Sequence, residues 1–279
     1  MHQPPVKTVS VLGCGWYGLP LASRLVRAGF QVNGSTTSEE KRPLLQAQHV
    51  SDYVLEFTPG LKSAQSLHSF FDADVLVLNI PPGRRRENLR SWYRLLIDNL
   101  MPHLLASPIS QVIFISSTSV YPDVNGVVQE EDAGAGSVSE SGQAMLEAEA
   151  ALLGRSEFGT TVLRFSGLYG NGRHPAKYLA GRTRLKKPEA PVNLVHLEDC
   201  IRVTERVIRR QVSGEVFSVC CDEHPNRKTY YTESARRMGL AVPEFDPPQE
   251  TDSWKQVSSR KLRDSLGYAF RYKSPYDGY

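Results

Sequence analysis

Residues 8–18 read TVSVLGCGWYG, a short β-branched run followed by glycines at positions 13, 15 and 18. The spacing is G-x-G-x-x-G, and the residues that follow, LPLASRLVRAG, have the pattern of a helix. Gly13 permits a tight turn, Gly15 lets the backbone approach a pyrophosphate, and Gly18 lets the helix pack close on the strand. The stretch predicts a dinucleotide-binding turn contacted by Gly13, Cys14, Gly15, Trp16, Tyr17 and Gly18. The alternative is a glycine turn that holds no ligand.

Further strand-like runs follow at 74–80 (DVLVLNI), 111–117 (QVIFISS) and 160–165 (TTVLRF), with helix-like segments between them. Alternation of strands and helices indicates a parallel sheet. The runs are almost continuously apolar, as expected for strands covered by helices on both faces. We therefore predict an α/β, Rossmann-type, doubly wound parallel sheet. Residues 123–139 are interpreted as a surface loop leading into a helix at 143–153, and the pattern after 170 indicates a smaller, irregular lobe.

Composition restricts the function classes. The 279 residues are 40% hydrophobic and 23% charged, which is typical of a globular protein with one large domain or a core plus a lobe. The four cysteines include no C-x-x-C pair, so we expect neither a disulfide framework nor a metal site. No targeting segment or long apolar stretch is evident, which predicts a cytoplasmic protein without a membrane partner. A net charge of +3 does not indicate a nucleic-acid partner.

Cofactor choice should be determined near the end of the second strand, where an acidic residue would hold the ribose of NAD. The segment 30–37 (FQVNGSTT) contains no acid before Glu39. Ser35 and Thr36 can donate hydrogen bonds to a 2′-phosphate, and Lys41 and Arg42 follow closely, so NADP is favoured over NAD. The alternative is that these two cations only cap a solvated helix. Pro81, at the end of the fourth strand, is assigned to the cofactor site, and the next cations face the phosphates or open a surface helix: Arg84, Arg85, Arg86 and Arg90.

Three later segments resemble a known family. They are SSTSVY at 116–121, LRFSGLYG at 163–170 and NLVHLED at 193–199. Together with the glycine turn, their order is similar to that of the extended, atypical short-chain dehydrogenase/reductases, in the NAD(P)-dependent epimerase/dehydratase branch. The residues of these segments are most similar to those of the bacterial YeeZ-like subgroup. The resemblance implies about seven parallel strands, with a core at 6–168 plus 193–222 and a small C-terminal substrate lobe at 169–192 plus 223–279.

The resemblance also implies a catalytic serine or threonine, here Ser117 with Thr118, and a later Tyr-x-x-x-Lys pair. In this chain Ser141 stands at the tyrosine position and Met145 at the lysine position. The family's lysine lowers the pKa of the tyrosine so that a phenolate can exchange a proton, and methionine carries no charge with which to do so. The sequence therefore predicts a dinucleotide-binding protein with weak or absent ordinary hydride transfer. The alternative is an active epimerase, dehydratase or reductase that uses another acid or base.

Other groups are candidates for that role: Tyr121 or Tyr169 first, and also His174, which could equally bind an anionic group. Glu147 and Glu149 are interpreted as a solvated helix face, and His196 as structural. Residues 171–190 hold six cations against the single acid Glu189, which suits an anionic, phosphorylated or nucleotide-linked small molecule; the alternative is a solvated basic loop. The candidate substrate-binding residues are Tyr169, Arg173, His174 and Arg182. The sequence leaves the oligomeric state open, including a homodimer.

Overall fold

The computed structural model describes residues 6–58, 60–63, 65–83, 87–134, 136 and 138–278. Three members of the predicted arginine cluster, Arg84 to Arg86, lie outside these ranges. Within them the strands are β1 Thr8–Leu12, β2 Gln31–Thr36, β3 Ser51–Val54, β4 Glu56–Thr58, β5 Gly60–Lys62, β6 Val75–Leu78, β7 Gln111–Ser117, β8 Gly126–Val128, β9 Gly159–Phe165, β10 Gly167–Tyr169, β11 Leu194–His196, β12 Glu215–Val219 and β13 Lys255–Val257. The helices are α1 Gly18–Arg27, α2 Arg42–Gln46, α3 Leu67–Phe71, α4 Leu89–Leu105, α5 Glu140–Leu153, α6 Ala176–Leu179, α7 Leu197–Arg210, α8 Arg227–Arg237 and α9 Arg260–Leu266.

Seven strands form the central sheet, in the order β12-β9-β7-β6-β1-β2-β3. Its pairings include the parallel ladders β1–β2, β1–β6, β2–β3 and β6–β7. The predicted seven-stranded, Rossmann-type parallel sheet is confirmed. Strand order reverses between β1 and β6, the point at which such sheets bind ligands beyond their carboxyl ends. All of β6 and the first six residues of β7 are buried, as the apolar runs predicted.

The helix that carries the candidate catalytic positions begins three residues earlier than predicted. The side chain of Ser139 accepts a hydrogen bond from the Gly142 N–H, so this serine caps α5 and places Ser141 in its first turn. The helix packs against β7 and the 3₁₀ turn Thr118–Val120. Ser141 therefore lies on the helix beside the end of β7, which holds Ser117.

The predicted loop at 123–139 contains more regular structure than expected. Residues 126–128 form β8, which pairs with β13 in a separate two-stranded parallel sheet, and a 3₁₀ turn spans Glu130–Asp132. The prediction of a surface loop is wrong for these residues. A three-residue strand whose partner lies about 130 positions away leaves no local periodicity to detect.

The chain divides into two compact units. The first contains residues 1–120, 139–163 and 201–216, and the second contains 121–138, 164–200 and 217–279. The assignment of a cofactor-binding core and a substrate lobe to particular segments stays a prediction. None of the helices that the structure describes is both long and apolar enough to cross a membrane.

A buried carboxylate organises the second unit. Asp199 is fully buried and accepts hydrogen bonds from the Tyr268 hydroxyl at 2.6 Å, the Arg271 N–H at 2.9 Å and the Tyr272 N–H at 3.0 Å. Hydrogen bonds to a charged acceptor are among the stronger ones in proteins. Asp199 thus fixes the chain segment that runs toward the C-terminus.

Candidate functional site

The glycine turn after β1 has the backbone geometry that its spacing predicts. Gly13 has a φ of +105°, and a Cβ there would lie 2.3 Å from the Asn79 carbonyl oxygen. A Cβ on Gly18 would lie 2.1 Å from the Gly13 carbonyl oxygen. Any larger residue at either position would displace backbone, so both glycines are required by the turn itself.

Gly15 has a different environment, because a Cβ at this position would meet no atom within 4 Å among the residues that the structure describes. Neither its φ nor internal packing accounts for the glycine. It is exposed in the turn that leads into α1, a ten-residue helix without a side-chain cap or an acidic residue in its first turn. The N–H groups and the positive dipole end of such a helix favour an anion. These residues therefore fit a dinucleotide pyrophosphate, which the glycine turn and the start of α1 would hold.

Asn79, immediately after β6, is a site residue that the sequence reading missed. Its side-chain Nδ2 donates to the Gly13 carbonyl at 2.9 Å, and its own N–H donates to the Leu12 carbonyl at 2.9 Å. On the other side, the Gly13 N–H donates to Ser35 Oγ at 2.8 Å. The turn is thus held from both neighbouring strands. A polar residue that ends the apolar run VLVL was the available sequence signal.

The three other residues of the turn, Cys14, Trp16 and Tyr17, have side chains that are buried or half-buried. The Tyr17 side chain is buried, and its hydroxyl lies 2.7 Å from Thr204 Oγ1, so its ring packs inside the first unit. Burial raises the pKa of the Cys14 thiol to about 12, so it stays protonated at neutral pH. Trp16 is half-buried in the turn. Any contact of Tyr17 with a cofactor would use its backbone.

The two cations predicted to lie near the cofactor ribose, Lys41 and Arg42, have different surroundings. The Arg42 guanidinium contacts the Asp52 carboxylate of β3 and lies 3.0 Å from Glu39. Burial raises the pKa of Asp52, but the hydrogen bonds from Arg42 and Gln46 outweigh this and leave the pKa below its usual range. Lys41 is exposed beside this pair. The pairing of Arg42 could not be foreseen, because Asp52 lies ten positions further along the chain.

Ser35 and Thr36 end β2 and are both buried. Ser35 Oγ accepts the Gly13 N–H, so its oxygen already supports the turn and its hydroxyl hydrogen is what it can still donate. Pro81 is exposed, and the residue before it is held by the Tyr93 hydroxyl, which donates to the Ile80 carbonyl at 2.7 Å.

The positions predicted for catalysis are all in the first unit except Tyr121. Ser117 ends β7, half-buried, and its Oγ accepts the Ser119 N–H at 3.2 Å. Thr118 follows in the 3₁₀ turn against which α5 packs. Ser141 is half-buried in the first turn of α5, and Met145, one turn later on the same helix face, is buried. Their chemical roles stay predictions.

Glu149 corrects one expectation. It was interpreted as part of a solvated face, yet it is only 3% exposed and accepts a 2.5 Å hydrogen bond from Ser116 Oγ. The cause is the packing of α5 on β7, which turns this position inward. Glu147, two residues earlier, is partly exposed and pairs with Arg90, as a surface residue would.

Tyr121 lies in the second unit with its hydroxyl engaged. The Tyr121 oxygen is 2.6 Å from Ser218 Oγ and accepts a bond from the Arg164 guanidinium at 3.0 Å. Arg164 also donates to the Glu130 carbonyl at 2.8 Å. Burial raises the pKa of Tyr121 in spite of the nearby cation. A phenol in this setting is only 1% exposed and retains its proton at neutral pH.

The four predicted substrate-binding residues, also in the second unit, separate into two kinds. Tyr169 and His174 are buried, and the Tyr169 hydroxyl donates to the Ser274 carbonyl at 3.0 Å. Arg173 and Arg182 are exposed. Lys187, counted in the same basic run, contacts Asp123 and the Ser253 carbonyl.

Buried imidazoles in the second unit predict acid sensitivity. Desolvation lowers the pKa of the buried His174 and His196 and of the half-buried His224 below the ordinary value of 6.5. Between that value and the folded-state pKa, the unfolded chain binds more protons, so the free energy of unfolding decreases as pH falls. Urea titrations at about pH 7.5 and about pH 5.5 should show this decrease in the free energy of unfolding. Both pH values lie above the range in which carboxyl groups titrate. His196→Phe should reduce the pH dependence, and a parent stability that stays flat across this interval would contradict the prediction.

Comparison with known proteins shows near-full-length relatives. The chain is 34% identical over 271 residues to Protein YeeZ of Escherichia coli K12, covering 97% of this chain and 98% of that protein. No protein-family model matches the chain.

Solved structures share the fold. A candidate NAD-dependent epimerase/dehydratase of Methylobacillus flagellatus is 26% identical with a TM-score of 0.77, covering 99% of this chain and 97% of that one. The UDP-glucuronic acid 4-epimerase of Bacillus cereus, solved in complex with NAD, is 18% identical with a TM-score of 0.76, covering 97% and 94%. MoeE5, solved with UDP-glucose and NAD, is 20% identical with a TM-score of 0.74, covering 96% and 95%.

Proposed function

Because this chain belongs to the YeeZ-like group of the extended short-chain dehydrogenase/reductases, we propose that it binds a nicotinamide dinucleotide and performs little or no hydride transfer by the family's usual route. The observation that carries the proposal is Gly15, an exposed glycine at which a Cβ would meet no atom of the described residues within 4 Å. Its smallness serves a ligand, and the start of α1 offers N–H groups to phosphates. The related epimerase of Bacillus cereus and MoeE5 were solved with NAD.

Different residues along the carboxyl edge of the sheet would bind different parts of the cofactor. Gly13 to Gly18, held by Asn79 and Ser35, would bind the pyrophosphate. Ser117 and Thr118 would donate hydrogen bonds at the other end. When bound, the cofactor would supply hydride exchange at its nicotinamide ring. With Ser141 and Met145 on α5, no phenol and no ammonium group is available there to accept or deliver the matching proton.

The direct experiment is titration of the purified protein with NADPH and NADH by calorimetry, together with mass spectrometry of the small molecules that co-purify. A dissociation constant in the micromolar range or below for either cofactor supports the proposal. A protein that binds neither NADPH nor NADH, and carries no nicotinamide dinucleotide, would refute it.

For the cofactor type we propose NADP(H). No carboxylate ends β2, and Lys41 is exposed beside the residues that would surround the ribose. Because Arg42 already pairs with Asp52 and Glu39, Lys41 would supply more of the attraction for the 2′-phosphate.

Lys41→Ala is therefore expected to weaken NADPH binding about three- to tenfold, the scale of one lost charge contact at a partly exposed site. NADH binding should hardly change, because NADH lacks the 2′-phosphate. Competitive titrations of both cofactors measure the ratio. Lys62→Ala, an exposed lysine of β5, is the matched control. A parent protein that binds NADH tenfold more tightly than NADPH would exclude the assignment.

For a second ligand we propose an anionic, nucleotide-linked small molecule. The exposed cations Arg173 and Arg182 support it, and MoeE5 was solved with UDP-glucose and with UDP-glucuronic acid. Tyr169 and His174 would act indirectly, because both are buried. In the parent protein, phosphate should compete with UDP-glucose for binding. Neutralising Arg173 and Arg182 together should abolish this competition if the proposal is right.

An active enzyme with another acid is the second candidate function. It is favoured by one observation, the Tyr121 hydroxyl with a serine hydroxyl and a guanidinium on its oxygen. Burial and the raised pKa of Tyr121 weigh against it. Tyr121→Phe distinguishes a structural role of the hydroxyl from a catalytic one. If the role is structural, the variant loses stability; if the hydroxyl is the acid, the variant loses turnover.

A further inference from the structure

The side chain of Tyr17 has no part in the function proposed above. Tyr17 lies between Gly15 and Gly18 and is the N-cap residue of α1. Serine, threonine, asparagine and aspartate are the usual N-caps, because their side-chain oxygen accepts an N–H of the first helical turn. The Tyr17 side chain makes no such bond; it is 4% exposed, and its hydroxyl lies 2.7 Å from Thr204 Oγ1. It therefore ties the glycine turn to a residue 187 positions further along the chain.

Thr204 is fully buried and belongs to the part of α7 that lies in the first unit, together with the glycine turn. The same helix contacts α1 at two further places. Glu205 Oε2 lies 2.8 Å from Arg24 Nε, and Arg209 Nη2 donates to the carbonyl of Ala28, the C-cap residue of α1, at 3.3 Å. The helix α7 is thus bonded to α1 at its N-cap, along its length and at its C-cap.

The Tyr17 bond holds the end of the turn that the neighbouring strands do not hold in the bonds described above. Asn79 Nδ2 donates to the Gly13 carbonyl, and Ser35 Oγ accepts the Gly13 N–H, so both act on the residue next to β1. The Tyr17 hydroxyl acts on the residue next to α1. A binding loop that is already fixed in its bound conformation loses less conformational entropy when the ligand binds.

We propose that the hydrogen bond between Tyr17 and Thr204 holds the glycine turn in the conformation that binds the dinucleotide pyrophosphate, which makes Thr204 a positioning residue of this site. The inference rests on the proposed dinucleotide binding and adds the group that fixes the turn from α7. Without the bond, the turn would spend part of its time in conformations that do not bind, and the measured affinity falls with the competent fraction. Because NADPH and NADH share the pyrophosphate, both should lose affinity by the same factor.

The test measures dissociation constants for NADPH and NADH in the parent, Tyr17→Phe, Thr204→Val and the double variant, by calorimetry well below the unfolding temperature. Each single change removes one hydroxyl and keeps the shape of the side chain. We expect each to weaken binding of both cofactors about fivefold, as when about a fifth of the molecules keep a competent turn. Since both changes remove the same bond, the double variant should also be about fivefold weaker, whereas independent effects would multiply to about 25-fold. Thr204→Ser keeps a hydroxyl and should bind within about twofold of the parent.

Ser23→Ala is the matched control. Ser23 also lies on α1, is 7% exposed, and donates to Gln48 Oε1 at 2.5 Å. Its replacement removes a buried hydroxyl bond from the same helix and should lower stability, but it leaves the bond at Tyr17 in place. Both dissociation constants should therefore stay within about twofold of the parent values. Hydrogen exchange of the peptide that covers the turn should be faster in Tyr17→Phe than in Ser23→Ala, which separates positioning from a general loss of stability.

Three results would overturn the inference while leaving the proposed function intact. They are a folded Tyr17→Phe or Thr204→Val that binds both cofactors like the parent, a double variant that is about 25-fold weaker, and a loss in Ser23→Ala equal to that in Tyr17→Phe. If neither single variant folds, the bond serves the fold and the inference is wrong. A parent that binds neither NADPH nor NADH would refute the proposed function itself, and the inference with it.

Discussion

Gly15→Val is expected to bind NADPH about 100-fold more weakly than the parent, a loss of about 2.7 kcal/mol of binding free energy. The reason is that the valine side chain fills the space that the pyrophosphate needs next to the backbone. Stability should change little, because in the described part of the chain no atom lies within 4 Å of a Cβ at Gly15. Calorimetric titration measures the affinity, and thermal unfolding measures the stability.

Gly60→Val is the matched control, since Gly60 also has open space around its missing Cβ and no positive φ. It lies in β5, away from the glycine turn in sequence, and should bind NADPH like the parent. If Gly15→Val remains folded and binds NADPH as tightly as the parent, the glycine turn is not the cofactor site.

The second large effect concerns chemistry. With bound cofactor and a panel of nucleotide sugars, the parent is expected to turn over substrate roughly 10²- to 10⁴-fold more slowly than a site with a working proton donor. That shortfall corresponds to about 3 to 5 kcal/mol of barrier. The double variant Ser141→Tyr/Met145→Lys should recover part of it, because it places a phenol and a cation one helical turn apart. Absorbance of the reduced nicotinamide reports the rate.

Ser141→Ala is the control and should leave the residual rate unchanged, since a serine hydroxyl is a weak acid. Robust parent turnover that is lost in Ser141→Ala would contradict this view of serine. Turnover that survives Ser141→Ala but disappears in Tyr121→Phe, with stability retained, would establish the alternative enzyme and move the acid to Tyr121.

The fold could be predicted because its signals are local. The glycine spacing, the apolar runs of β6 and β7 and the alternation of strands with helices each occupy a few neighbouring residues. The same holds for the turn, where the spacing indicates both the positive φ of Gly13 and the close backbone approach at Gly18. The roles of Ser141 and Met145 rest on comparison with the family's motif and are still to be tested.

What could not be predicted depends on contacts between distant segments. Glu149 looks like a surface acid until α5 is packed on β7, 33 residues away in sequence. Arg42 looks available until β3 brings Asp52 beside it. Asn79 acquires its role only when β6 is paired with β1. In each case charge and polarity were visible in the sequence and the partner was not.

The Asp199 clamp has a consequence for synthesis of the chain. Tyr268, its first partner, is 69 residues further on, and at about 5 to 20 residues per second a ribosome needs about 3 to 14 s to reach it. During that interval the carboxylate has none of its three donors, and burying an unpaired charge is costly. The segment around Asp199 must therefore stay hydrated while the intervening chain is made. The second unit closes late in translation, and a stall before Tyr268 would leave its interior exposed to chaperones and proteases.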